Sequence, residues 1–248
     1  MTDVATSSHA PRADTAAMVH AKVLALLDGV RGRLLDAPAG EGALAAAAAR
    51  QGFEVSCADI DPSRFKVDGI HCDRLDLNER WPYKDGLFDA VVSIEAVEHL
   101  ENPWHLMREA ARVLKAGGLF ILTTPNVLTI RSRLSYLLYG YPNYFHYMIE
   151  ADGVGRGERP VDHINPIGFL ELRHVLSRCG FRVESVEANR LLKRGSPIFR
   201  FIRTILRTRG HSHVRENPSK AHVRDLLLSD ILLFGEILII KARKPSGT

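Results

Sequence analysis

The chain reads as an α/β protein: a doubly wound, mostly parallel sheet with helices on both faces. Three observations carry that reading. Short apolar runs alternate with stretches of helical periodicity, at the spacing that right-handed βαβ units produce. The first such run, Leu34-Leu35, ends on an acid, Asp36, and enters a tight turn of small residues, Ala37-Pro38-Ala39-Gly40-Glu41-Gly42, with a helix directly behind it. In open α/β sheets that strand–turn–helix is the usual docking point for a ligand. Finally, 248 residues with 46% hydrophobic and 25% charged side chains give the composition of an ordinary globular protein with room for a full core.

The elements follow in order. Met18 to Asp28 places Val19, Val23, Leu26 and Leu27 at helical spacing and stops at Gly29. Arg33 to Ala37 is the first strand, followed by the turn and an alanine-rich helix, Ala43 to Arg50, which Gly52 ends. Phe53 to Ala58 forms a second strand running into Asp59-Ile60-Asp61-Pro62, and Ile70 to Arg74 a short third one before Leu75-Asp76-Leu77-Asn78. Phe88 to Ile94 is an apolar fourth strand. Asn102-Pro103 opens a helix to Lys115, with proline at a permitted first-turn position. Gly117-Gly118 stops it, and Leu119 to Thr123 makes a fifth strand closing on Thr124-Pro125-Asn126. The rhythm breaks over 127–165, resumes with a helix from Pro166 to Arg178 and a strand from Phe181 to Ala188, breaks again over 189–230, and ends on a strand within Leu233 to Ala242.

Charge is unevenly placed. The formal net charge is +4, yet 189–224 carries ten basic residues against Glu216 alone, so the basic pI belongs to that segment and the rest of the chain is acidic. No apolar run reaches the roughly 18 residues of a membrane span. Residues 1–17, rich in Ala, Ser and Thr, have no apolar signal core and read as a disordered tail, leaving 18–248 as one domain with two insertions. Cys57, Cys72 and Cys179 have neither zinc spacing nor a disulfide framework, which makes them buried free thiols of a cytoplasmic protein.

Five landmarks fall in a fixed order: Leu35 to Gly42, Asp59, Asp76-Leu77, Phe88 to Leu100, and Arg112 to Gly118. Together they resemble the class I S-adenosylmethionine-dependent methyltransferases, in the group that includes ubiquinone-type and glycan-modifying O-methyltransferases. The resemblance covers roughly Met18 to Ala188 and the last strand. It implies a seven-stranded methyltransferase-type Rossmann-like sheet whose last strand is antiparallel, and S-adenosylmethionine as cofactor. One departure stands out: Pro38 occupies the first glycine position of the family's Asp-x-Gly-x-Gly-x-Gly turn, which puts backbone hydrogen bonding there in doubt, while Gly40 and Gly42 keep theirs.

By that resemblance Asp36 and the turn Ala37, Pro38, Ala39, Gly40 and Gly42 sit by the methionine moiety, the carboxylate attracting its ammonium; the alternative is that Asp36 caps the following helix. Asp59 is expected to accept both ribose hydroxyls, with Ile60 against the adenine. Asp76 is expected at the adenine amino group beside the Leu77 backbone, unless it is a simple turn residue. Ser93 and Glu95 lie at the crevice mouth facing cofactor and substrate. The sulfonium is already an activated leaving group, so no metal is expected. A hydroxyl nucleophile calls for a base, and His163, in Asp162-His163-Ile164-Asn165-Pro166, is the candidate together with Glu95; the alternative for His163 is a structural histidine. His99 reads as a helix or core histidine.

Five of the six tyrosines, Tyr136, Tyr139, Tyr141, Tyr144 and Tyr147, crowd the first insertion, which is read as a substrate cap for a small molecule, sugar or lipid-linked acceptor, with Arg131 and Arg133 holding an anionic handle. A small satellite core would use the same aromatics. Pro197 to Arg207 sets Ile198, Phe199, Phe201, Ile202, Ile205 and Leu206 on one helical face and Arg200, Arg203 and Arg207 on the other. Such a helix either contacts an anionic membrane peripherally, over 197–209, or docks on the body with its basic face in water. Nucleic-acid binding is disfavoured, since no recognition motif accompanies the charge. Two other classes compete. A nicotinamide-dependent oxidoreductase shares the strand–turn–helix start but needs a G-x-G-x-x-G that is missing; the other is a membrane-associated cofactor-binding module without catalysis, in which the intact Asp36, Gly40, Gly42 and Asp59 argue against lost cofactor binding.

Overall fold

The structure, a computed structural model, describes residues 11–16, 18–145, 163–192, 195–209, 223 and 225–246. Seven strands form one sheet: β1 (Arg33–Asp36), β2 (Glu54–Asp59), β3 (Cys72–Arg74), β4 (Phe88–Ser93), β5 (Leu114–Pro125), β6 (Arg182–Ala188) and β7 (Ile237–Arg243). Their order is β3-β2-β1-β4-β5-β7-β6. Pairing is parallel from β3 to β5, and β7 is antiparallel to both β5 and β6. The strands alternate strictly between two faces. Leu35, Val91, Phe120, Leu122, Leu238 and Ile240 go to one core, and Leu34, Ala90, Val92, Leu119, Ile121, Ile237 and Ile239 to the other. Both faces are therefore buried, as a parallel sheet requires.

Helices α1 (Val19–Leu26) and α2 (Ala43–Arg50) cover the second face, through Val19, Val23, Leu44 and Ala48. The other face is covered by α3 (Pro103–Val113) and the helix Phe169–Arg178, through Leu106, Met107, Ala110, Leu172 and Leu176. In chain order the remaining helices are α4 (Ile130–Tyr139), α5 (Phe169–Arg178), α6 (Pro197–Arg209) and α7 (Asp230–Phe234). Caps set several starts: Asn102 Oδ1 accepts from His105 N at 3.0 Å, Thr129 Oγ1 from Ser132 N at 3.0 Å, and Ser229 Oγ from Leu232 N at 3.3 Å.

Several boundaries differ from the sequence reading. Ile70 is only partly buried and His71 is exposed, and β3 begins only at Cys72. α3 ends at Val113, because Leu114 already pairs with Phe88; the register then shifts, so that Ala90 faces Leu119. Lys115 to Gly118, expected as a helix end and stop, is instead a bulge within β5, where Lys115 Nζ binds Asp89 at 2.8 Å and Gly117 N donates to Lys244 O at 2.9 Å. Leu233 and Phe234, expected in the last strand, close α7. A short apolar run does not distinguish a buried helix from a strand. The Ser229 cap and the Gly235 that follows decide for the helix.

The cysteines are free thiols; Cys57 and Cys72, distant in sequence, are register partners across β2 and β3 and both are buried. Among the described residues no helix is long and apolar enough to cross a membrane.

Candidate active site

Sheet order reverses around β1, which lies between β2 and β4, so a crevice opens at the carboxyl ends of these strands. β1 pairs Asp36 with Cys57, and β2 continues past that pair to Asp59, which stands over the turn. Between these tips and the first residues of α2 lies a cleft of about 460 Å³, lined by Asp36, Pro38, Ala39, Gly40, Asp59, Ile60, Ile94, Glu95 and His99, among others.

Asp36 is 1% exposed. It takes a hydrogen bond from the Ala45 backbone, a contact of the kind its helix-cap alternative implies, but its Oδ2 is buried without a partner. Burial, reinforced by the nearby Asp59 charge, pushes its carboxyl up to about 8. A buried carboxyl oxygen without a donor, at the wall of a cleft, suits a cationic guest. Asp59 accepts Gly40 N at 2.8 Å on one oxygen and Asp61 N at 2.9 Å on the other. A carboxylate has about four acceptor sites, so capacity remains for ribose hydroxyls. Gly40 has φ 54°, a left-handed conformation that favours glycine. Gly42 has φ 89°, and a Cβ there would come within 2.5 Å of Val67 and 2.6 Å of Phe65. It lets the chain beyond β2 pack under the turn rather than lining the cleft itself. The doubt over Pro38 resolves in its neighbours: Ala37 N donates to Val92 O and Ala39 N to Ala58 O, each at 3.0 Å, so the turn is tied to both adjacent strands without a donor at position 38.

Glu95 sits where β4 leaves the sheet. Its φ is 46°, and its N–H is held by Thr123 Oγ1 at 3.0 Å and Thr123 O at 3.2 Å. A non-glycine residue in that region costs about 1–3 kcal/mol and tends to mark a functional position. Burial raises the Glu95 carboxyl. Glu98 is fully buried; Thr124 Oγ1 donates to its Oε2 at 3.1 Å, and burial pushes it up to about 8.

Other expected site residues lie elsewhere. Ala37 is buried in the core beside Leu35. Ser93 is 1% exposed, its Oγ is buried without a partner, and it is not among the residues that line the cleft. Asp76 accepts from Asn78 N at 2.9 Å and Asn78 Nδ2 at 3.1 Å, which is the turn role weighed as its alternative, and Leu77 packs into the core. Neither lines the cleft. His163 does not reach the wall either. It stands behind His99, ring centroids 4.7 Å apart, with Nδ1 against Tyr144 O at 2.9 Å and its ring 5.3 Å from Phe145. His99, read as a packing histidine, is the one that faces the cleft.

The sequence reading also missed the roof. Residues 11–16, assigned to a tail, lie on the cleft: Arg12, Asp14 and Thr15 line it together with His20 and Arg64. Arg12 N donates to Glu41 Oε2 at 2.9 Å, and Asp14 pairs with Arg64. No periodicity marks such a strap; only its polar residues, Arg12, Asp14 and Thr15, signal it. Residues 1–10 and 17 lie outside the described residues.

The cap is partly a satellite core. Phe199 and Ile202 of α6 pack against Ile130, Leu233 and Phe234, and Arg203 Nη1 binds Asp230 Oδ1 at 2.8 Å, so α6 docks on the body through part of its apolar face; Phe201 stays 67% exposed. Arg133, expected to hold an anionic handle, instead donates to Leu128 O and Leu227 O at 2.8 and 3.0 Å. Tyr136 and Tyr139 are exposed on α4, and Tyr147 lies outside the described residues.

Comparison with known proteins places the chain. It belongs to the methyltransferase-domain family, whose model matches residues 12–186. The fold is that of a class I S-adenosylmethionine-dependent methyltransferase. Among curated relatives, the ubiquinone biosynthesis O-methyltransferase of Xanthomonas oryzae pv. oryzae is 35% identical over 115 residues, covering 42% of this chain and 47% of the relative. The chain thus spans about half the length of that relative. Among solved structures, a SAM dependent methyltransferase from Archaeoglobus fulgidus superposes with a TM-score of 0.59 at 19% identity, covering 91% of this chain and 93% of the other. An S-adenosylmethionine dependent methyltransferase from Mesorhizobium loti gives 0.54 at 18% identity, covering 90% and 96%. At those identities the likeness shows the fold. S-adenosylmethionine is the family's cofactor, and the unpartnered Asp36 Oδ2, the side-chain-free Gly40 at the cleft wall and the Asp59 carboxylate fit it.

Proposed function

We propose that the chain transfers the methyl group of S-adenosylmethionine to a hydroxyl oxygen of a small-molecule acceptor. The observation that carries this reading is the buried, unpartnered Oδ2 of Asp36 in a cleft whose opposite rim holds Asp59. When bound, the cofactor supplies a methyl group on a sulfonium that leaves readily. Asp36 meets its ammonium, and Asp59 and Ile60 hold the ribose and adenine end. Glu95, raised by burial and lining the cleft, is positioned to take the acceptor's proton. His163 supports His99 from behind. Water is excluded from one side by the strap that carries Arg12, Asp14 and Thr15. The O-methyltransferase names of the curated relatives support oxygen as the acceptor atom, and the tyrosine-bearing α4 segment is our candidate for the acceptor wall.

Isothermal titration of the purified chain with S-adenosylmethionine and S-adenosylhomocysteine tests the cofactor. One site for each is expected, and no heat with either ligand overturns the proposal. A nicotinamide dinucleotide titration under the same conditions is expected to be silent.

A further inference from the structure

We propose that the apolar cavity between α4, α6 and α7 takes a short, uncharged apolar substituent of the methyl acceptor. The inference rests on the methyl-transfer reading above and narrows its acceptor class to hydroxylated rings that bear such a group. The cavity holds about 40 Å³ and is lined by Ile130 of α4, Phe199 of α6, Leu233 and Phe234 of α7, and by Leu192 and Tyr144. A water-sized group needs roughly 10–15 Å³, so about three fit, which is the size of a propyl or isopropyl group. Walls of hydrocarbon give water too few partners to settle there, so the space suits an apolar guest. Of the two charged lining residues, Arg131 is exposed to water. The other, Glu236, is already satisfied by Arg190 Nε and Nη2 at 2.5 and 2.7 Å and by Asn189 Nδ2 at 2.9 Å. Neither calls for a charged guest.

Position ties the cavity to the reaction. Thr123 holds Glu95 N, and Asn126 N donates to Glu236 O at 2.9 Å. Thr123 and Asn126 are three residues apart at the carboxyl end of β5, about 10 Å on an extended chain. A single ring whose hydroxyl meets Glu95 spans most of that gap and presents its far substituent to the cavity. Tyr144 is near both ends: burial raises its phenol, and the Glu236 and Glu95 carboxylates add to the effect. Its φ is 76°. With Glu95 at 46°, it makes two of the three non-glycine residues in the left-handed region among the described residues. Strain of this kind persists where the surroundings over-determine it, and it clusters at ligand clamps.

The cavity is also this chain's own. Leu192, Phe199, Leu233, Phe234 and Glu236 all lie beyond residue 186, where the match to the family model ends. A fold shared by many activities carries its choice of substrate in segments grafted onto it.

The test is calorimetric titration of the S-adenosylhomocysteine complex with phenol, para-isopropylphenol and para-hexylphenol. At about fourfold per buried carbon, para-isopropylphenol is expected to bind about fiftyfold tighter than phenol. The hexyl compound is expected to bind no tighter than the isopropyl one, because its chain outruns the cavity. Leu192→Trp and Phe199→Trp fill the cavity from partly buried positions. Each is expected to cut the isopropyl advantage to about twofold or less, since a filled cavity has no room for the group. S-adenosylhomocysteine binding by each variant, with circular dichroism, establishes that the fold is intact. No binding of para-isopropylphenol, an affinity equal to that of phenol, a gain that continues through the hexyl compound, or an undiminished gain in both variants overturns the acceptor pocket and leaves the methyl-transfer reading standing. Failure of S-adenosylhomocysteine to bind wild type overturns that reading, and the role of the pocket with it.

Discussion

Asp36→Asn separates the cost of the cleft from its use. In the folded protein burial raises the Asp36 carboxyl from 3.8 to about 8. The folded state therefore holds a proton that the unfolded chain releases above pH 3.8. By linkage, stability from this group is fully present below pH 3.8 and falls as pH rises, until the folded carboxyl itself ionises near 8. At about 1.4 kcal/mol per pH unit, the penalty is about 4 kcal/mol at pH 7 and about 2 kcal/mol at pH 5. Asparagine removes the ionisation but brings a second buried donor, so about half of the gain survives. At roughly 2–4 °C per kcal/mol for a chain of this size, the unliganded variant is expected to melt about 4–8 °C above wild type at pH 7 and nearly with it at pH 4. Ligand binding moves the other way: losing the charge opposite the cofactor's ammonium costs about 3 kcal/mol, over a hundredfold in S-adenosylhomocysteine affinity. Wild-type binding at pH 7 is expected to release about one proton, seen as a buffer-dependent heat, and the variant none. Differential scanning fluorimetry across pH with calorimetry in two buffers reads all of this. A variant less stable than wild type at pH 7, or one that binds with unchanged affinity and proton release, refutes the reasoning.

Gly42→Ala is expected to lower stability by about 3 kcal/mol in a urea titration, since φ 89° is strained for alanine and its Cβ meets Val67 and Phe65 within 2.6 Å. Arg112→Ala leaves Glu109, 7% exposed, without the guanidinium that binds both its oxygens at 2.9 and 2.6 Å, and is expected to cost about 3–5 kcal/mol by the same titration. Asn126→Ala strips the carbonyls of Leu232 and Gly235 of the Nδ2 donor at 3.1 and 2.9 Å; about 3 kcal/mol is expected, with hydrogen exchange accelerating first in α7.

The parts of the fold legible in the sequence are those where one physical signal dominates. β1, β2 and β4 are apolar runs ending at the cleft, so Asp36, Asp59 and Glu95 could be placed from strand ends alone. The bulge at Lys115 to Gly118 was not legible, because Gly-Gly punctuates a helix end and a bulge alike, and only the register with Phe88 and Ala90 tells them apart. That His99 rather than His163 lines the cleft was not legible for a related reason: both lie outside regular periodicity, and which one meets the cleft depends on how the chain returns across Glu98 and Leu100. Asp76 shows the limit of family landmarks, since a turn acid next to β3 is satisfied by Asn78 whether or not a ligand is near.

Strand β7 carries a consequence for how the protein is made. Among the described residues β6 pairs with the sheet only through β7, which lies between it and β5. Synthesis delivers β6 first, so it waits without a pairing partner until residues 237–243 leave the ribosome, and β5 meanwhile presents a long unpaired edge. That interval is a window for wrong strand pairing between nascent chains. A ribosome stalled before residue 237 would hold a chain whose cofactor cleft is assembled from β1, β2 and β4 while its sheet is still open.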